Sequence, residues 1–113
     1  MLIEINEGPP FDISAAVTIG GVRYNAGPTF RADLREDVLA FASGLSAGCP
    51  FTPEFGNEPL FNVSFERDQF VTYTYRPRFR RQWLWWLGNT KVLSQPEGVR
   101  EATDYLKGLA ASL

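Results

Sequence analysis

The chain has no histidine, one cysteine (Cys49) and one methionine, and these scarcities remove most familiar site chemistry before any pattern is read. Without an imidazole, a serine or cysteine nucleophile lacks its usual base, and the common ligand of catalytic zinc is missing. A lone cysteine allows no intramolecular disulfide, so the fold rests on packing, as suits a reducing compartment. No run approaches the ~20 apolar residues of a membrane helix. Glu4, Glu7 and Asp12 interrupt the region where an export signal would lie. Neither export nor membrane insertion is expected, and the cytoplasm is the expected compartment. There is no Gly-x-x-x-x-Gly-Lys-Ser/Thr loop, and Gly20-Gly21 lacks the third glycine and following helix of a dinucleotide turn. No metal and no cofactor is implied.

What is present is the material of an interior. In 113 residues, 44% are hydrophobic, with nine Phe, four Tyr and three Trp, enough for one core and not for two. Residues 1–113 are therefore expected to form a single domain. The net charge of −2 gives no overall attraction to nucleic acid or an anionic membrane, so any basic function must be local.

Leu2, Ile3 and Ile5 predict a short strand ended by Gly8-Pro9-Pro10. Ile13, Ala15, Val17 and Ile19 alternate as a second strand, Gly20-Gly21 suits a two-residue turn, and Val22 to Asn25 returns. The period then changes: Leu34, Val38, Phe41 and Leu45 share one face of a helix. It starts at an Asp33–Glu36 capping box or at Thr29, and Gly48 and Pro50 end it. Residues 49–59, with three Pro and one Gly, read as an ordered surface loop.

Phe61, Val63 and Phe65 share one side of a strand, Glu66-Arg67-Asp68 turns it, and Val71, Tyr73 and Tyr75 share one side of the next. Trp83 to Leu87 is apolar on both faces and predicts a strand in the middle of the sheet, closed by Gly88-Asn89. Ser94, Pro96 and Glu97 predict the start of a second helix, with the serine as cap, carrying Val99, Ala102, Leu106, Leu109 and Leu113. The expected fold class is α+β: a mostly antiparallel sheet of about five to six strands with two amphipathic helices packed on one face.

Carboxylate pairs such as Glu36 with Asp37, Glu54 with Glu58 and Glu97 with Glu101 are the available acid and base groups. Beside Arg35, the first pair has the composition of a solvated helix face. Cys49, with no basic neighbour within five residues, is expected as a partly buried, inert thiol.

The stretch from Tyr73 to Trp86 carries Arg76, Arg78, Arg80 and Arg81 among the rings of Tyr73, Tyr75, Phe79, Trp83, Trp85 and Trp86. Cations among rings are how single-stranded nucleic acid is held. Parity offers a plainer account: Arg76, Arg78 and Arg80 alternate with Tyr75, Phe79, Trp83 and Trp85, so a regular strand puts the arginines outward and the rings into the core. Arg81 breaks the pattern and marks a bulge or turn after Pro77. Arginines presented in this way are either solvated or meet an acidic protein partner. Arg76, Arg78, Phe79, Arg80 and Arg81 are the candidate binding residues.

Phe30, Asp33-Leu34, Leu39-Ala40-Phe41 and Leu45 on the first helix, with Asp104-Tyr105-Leu106 near the end, resemble the pattern of the small α+β immunity proteins that accompany bacterial polymorphic toxins. The resemblance spans most of the chain and is one of pattern. It implies a non-catalytic protein that neutralises a toxin domain by steric and electrostatic fit. The arginines depart from the strongly acidic surfaces of immunity proteins that oppose nucleases. Three readings follow: a non-catalytic protein-binding domain, a single-stranded nucleic-acid module, and a small-molecule site or enzyme with a carboxylate between sheet and helices, lined by Tyr73, Tyr75 or Trp86.

Overall fold

The alternating run from Ile13 becomes the middle strand of the first sheet. In the computed structural model, which describes residues 1–8, 12–77 and 88–113, β2 (Ile13–Ile19) lies between β1 (Leu2–Glu7) and β3 (Val22–Thr29), antiparallel to both. Ile13, Ala15, Val17 and Ile19 are all buried. Strand β3 runs past Asn25, its expected end, because Ala26 bulges out of register: Ala16 faces Asn25 and Ala15 faces Gly27.

Helix α1 (Arg31–Ala47) buries Leu34, Val38, Phe41, Ala42 and Leu45, the stripe its period predicted. Neither expected cap forms. Phe30 occupies the capping position without a side-chain hydrogen bond. The Arg31 N–H instead donates to Asp12 Oδ2 at 3.1 Å, a carboxylate supplied from just before β2. Such an acceptor at a helix N-terminus satisfies an orphan donor and suits the dipole.

The stretch expected as a loop holds a miniature hairpin, β4 (Glu54–Phe55) and β5 (Glu58–Pro59). Gly56 and Asn57 turn it at φ 63 and 65, the doubly left-handed geometry of a type I′ turn. Its purpose in the core is Phe55, which is fully buried. The ring of Phe41 is a hub, with centroids 6.0, 6.1 and 5.6 Å from Phe51, Phe55 and Phe61 in edge or tilted contacts.

The second sheet is centred on β7 (Gln69–Pro77), with β6 (Asn62–Glu66) on one edge and β8 (Asn89–Leu93) and β9 (Glu97–Gly98) on the other. Asn89, expected to close a strand, opens β8 instead. The chain leaves this edge between Leu93 and Glu97, and Ser94 bridges the gap. The Thr72 N–H donates to Ser94 Oγ at 2.9 Å, and the Ser94 N–H donates to the Thr72 carbonyl at 2.8 Å. Ser94 is therefore an inward strand-edge residue and not the cap of α2 (Val99–Ser112), which starts at Gly98 without a side-chain cap. Glu97, the expected partner of that cap, sits in β9, and its Oε1 accepts from the Met1 ammonium at 2.5 Å.

The single sheet of five to six strands is not what forms. The described residues make three antiparallel sheets, of three, two and four strands. Alternation identifies strands but does not encode which edges meet. Here β3 and β7 meet through side chains, with Tyr24 Oη and Thr72 Oγ1 hydrogen-bonded at 2.9 Å in the interior. One hydrophobic cluster nonetheless gathers residues of both larger sheets and both helices, and α1 and α2 pack against each other. None of the described helices is long and apolar enough to cross a membrane.

Gly20 closes the seam between the sheets. Its carbonyl accepts the Gln95 N–H at 3.1 Å, and a Cβ at Gly20 would lie 2.2 Å from the Gln95 carbonyl oxygen. The seam is testable at Thr72, where Thr72→Val keeps the volume but leaves Tyr24 Oη buried without its partner. The expected loss is about 1–3 kcal/mol. Urea unfolding of the variant beside Tyr24→Phe/Thr72→Val, which removes both partners and should recover part of the loss, checks it.

Candidate functional site

The two-residue turn at Arg67-Asp68 decides which face of β7 is inside. Arg67 takes φ 57, and the register that follows sets Phe65 opposite Phe70 and Val63 opposite Thr72. Phe70 and Thr72 are therefore in the core. Val71, Tyr73 and Tyr75 do share one side, as their spacing predicted, but it is the outward side.

This inverts the expected division between rings and arginines. Tyr75 is 57% exposed and Tyr73 is half-buried, so at these two positions the rings decorate the sheet rather than fill the core. Arg76 belongs to the parity of Phe70 and Thr72, yet it too is exposed, because β7 runs on past the end of the core. Of the candidate binding residues, Arg76 alone is among the described residues. Arg78, Phe79, Arg80 and Arg81 lie outside them, as does the strand expected from Trp83 to Leu87. Residues 78–87 connect the two strands at the end where Pro77 faces Asn89.

Strand β8 supplies groups the sequence reading missed. Leu93 lies opposite Tyr73 and Lys91 opposite Tyr75. Leu93 is 55% exposed, and Lys91 Nζ stands 4.0 Å from the centroid of the Tyr73 ring, a cation–π contact. The Tyr73 and Tyr75 rings meet edge to face, 5.8 Å apart at 84°. The outward face thus holds two rings, an exposed leucine and an ammonium.

Charge is segregated along the sequence around these strands. Between Gln69 and Pro96 the chain carries five cations, Arg76, Arg78, Arg80, Arg81 and Lys91, and no Asp or Glu; the remainder holds six cations against thirteen carboxylates, a charge of −7. The signal was legible in the sequence as a run without acidic residues, and a net charge of −2 conceals it.

The carboxylates lie elsewhere. Asp37 on α1 accepts the Gly56 N–H at 3.0 Å and so clasps the β4–β5 turn. Its pKa is raised, first by burial and then by the charges of Asp33, Glu36 and Glu54, with the Gly56 hydrogen bond opposing. The fold brings Glu54 from the 49–59 segment to Asp37, a proximity the spacing did not reveal. Glu97 and Glu101 line an open cleft of 390 Å³ with Tyr105 and Gln69, and Glu97 Oε2 is buried there without a hydrogen-bond partner. A second cleft, of 710 Å³, lies between Phe65, Arg67, Val99 and Arg100. Neither contains Tyr73 or Tyr75, the rings expected to line a small-molecule pocket. Cys49, expected as partly buried, is exposed.

Comparison with protein-family models, with curated proteins and with solved structures gives no match.

The raised Asp37 pKa sets a sign for pH dependence. The folded state holds the proton more tightly than the unfolded chain, so the charged form is disfavoured by folding and stability falls as pH rises from the ordinary carboxylate range through the folded value. Asp37→Asn keeps an acceptor for Gly56 and removes the titration. Its stability relative to the parent should rise between about pH 3 and pH 7. Urea denaturation at both values measures this, and parallel profiles would rule it out.

Proposed function

We propose that this chain is a non-catalytic protein-binding domain acting in the cytoplasm, and that its partner docks on the outward face of the β7–β8 hairpin and the arginine segment that joins its strands. The observation that carries the reading is the coincidence of exposed Tyr75, Lys91 and Leu93 and half-buried Tyr73 with the longest stretch of chain free of acidic residues, which holds five cations. Tyrosine, arginine and an aliphatic centre are the residue types that concentrate binding energy in protein interfaces. The work of an immunity protein, to occupy a toxin domain by fit alone, is of this kind. One exposed thiol and no partner thiol suit a reducing compartment.

Geometry disfavours the nucleic-acid reading of the same residues. Successive bases stack on ring faces left open to them. Here one face of Tyr73 is taken by Lys91, and Tyr75 stands at 84° to it, so the pair offers no parallel platforms. A remainder of −7 would also repel a phosphate backbone.

A photoreactive benzophenone residue placed at position 75 or 93 should give one protein adduct in host extract. The same group at Leu39, exposed on α1, should give none. A labelled single-stranded oligothymidylate should show no binding at low salt. Equal capture from all three positions, or tight oligonucleotide binding, would defeat the reading.

A further inference from the structure

We infer, resting on the reading just proposed, that the partner adds an extended segment as an antiparallel strand to the outer edge of β8, with an apolar residue opposite Leu93 and an acidic residue opposite Lys91. The hydrogen-bond ladder carries the argument. The Ser94 N–H donates to the Thr72 carbonyl at 2.8 Å, and in an antiparallel pair bonded and non-bonded positions alternate. Bonding therefore recurs at Thr74 with Val92 and at Arg76 with Thr90, and skips Tyr73 with Leu93 and Tyr75 with Lys91. The other side of β7 gives the same phase. Val63, opposite Thr72, exchanges its backbone bonds with Phe51, at 2.8 and 3.3 Å, so Thr72 turns its own groups toward Ser94. The N–H and C=O groups of Lys91 and Leu93 consequently point away from β7, along an edge where no described residue pairs with them.

Other edges are stopped. On β1 the Ile3 N–H donates to Tyr105 Oη at 2.9 Å, and on β6 Val63 is bridged by Phe51. An open run of donors and acceptors is a template for another strand. The side chains say what that strand carries. Directly opposed residues in a sheet share a face, so the positions opposite Leu93 and Lys91 join the face of Tyr73 and Tyr75. Leu93 is 55% exposed although Tyr73, across the ladder, is half-buried, and an apolar side chain on its edge side completes its burial. Lys91, exposed beside the Tyr73 ring, is matched by a carboxylate. A second copy of the chain fits badly, since β8 holds no acidic residue and a pairing centred on Lys91 sets ammonium against ammonium.

The test compares Lys91→Pro with Lys91→Ala. Both remove the ammonium, but only proline removes an N–H, and it is one outside the β7–β8 ladder, where an edge strand tolerates proline. Thermal unfolding establishes that both fold. Affinity for the protein captured from position 75 should fall about tenfold further for Lys91→Pro than for Lys91→Ala. Independently of any variant, amide hydrogen exchange read by NMR on the parent protein should slow about tenfold or more at Lys91 and Leu93 when that protein binds. Equal affinity of two folded variants, or unchanged exchange at both amides, would overturn the added strand. If Tyr75→Ala and Leu93→Ala still weaken binding in that case, the proposed surface stands; if they do not, that surface is wrong as well. A concentration-dependent dimer in sedimentation velocity, lost in Lys91→Pro, would give the edge to a second copy and defeat the inference. A cross-linked partner segment without an apolar residue followed two places later by Asp or Glu would overturn the stated chemistry.

Discussion

Two sheets that share no ladder among the described residues are joined at one small side chain. Thr72 hydrogen-bonds through its hydroxyl to Tyr24 of the first sheet, through its N–H to Ser94 Oγ and through its carbonyl to the Ser94 N–H. The next residue, Gln95, donates to Gly20 in the first hairpin turn. Tyr24, Thr72 and Ser94 are buried, and there a missing partner costs a full desolvation penalty. The seam therefore admits one arrangement: a hydroxyl at 72, a short hydroxyl side chain at 94 and no side chain at 20. The flanking rings of Phe61 and Tyr24, 4.6 Å apart, close over it.

The seam also determines where the molecule ends and where its surface begins. By drawing the chain off the β7 edge at Ser94, it separates β9, which stays against the core and leads into α2, from β8, which does not. Strand β7 is anchored over Phe70 and Thr72, and its last residues, with all of β8, run outward from that anchor. Exposure of Tyr75, Arg76, Lys91 and Leu93 is thus a consequence of where the interior stops.

Electrostatics acts on the same geometry. The acidic side chains are spread over β1, α1, the β4–β5 hairpin and the start of α2, and around Asp37 the charges of Asp33, Glu36 and Glu54 add to burial, the larger cause, in raising its pKa. The one run of chain that gathers five cations without an acidic residue, from Gln69 to Pro96, includes Arg76 and Lys91, both exposed on the β7–β8 hairpin. A small protein with a weak net charge can hence carry a charge-segregated sequence, and segregation of that kind steers association and selects partners more than it holds the fold together.

Residue spacing in the sequence was enough to find the elements with a mainly buried stripe: β2, α1, Phe61 and Val63 at β6 with Phe65 half-buried, and the Ala102 and Leu106 positions of α2, whose Val99, Leu109 and Leu113 are half-buried. Their periods state directly which residues meet water. It also fixed the absence of imidazole chemistry and the location of the cationic stretch. Only the tertiary structure decided which face of β7 is inside, because a period of two is satisfied equally by either choice and a single-residue change in turn length exchanges them. It likewise decided that Asp12 caps α1, that Phe55 enters the core from a Pro-rich segment and that Ser94 is a strand-edge bridge. Each of these is a contact between residues far apart in the chain, and such a contact leaves no local period to read.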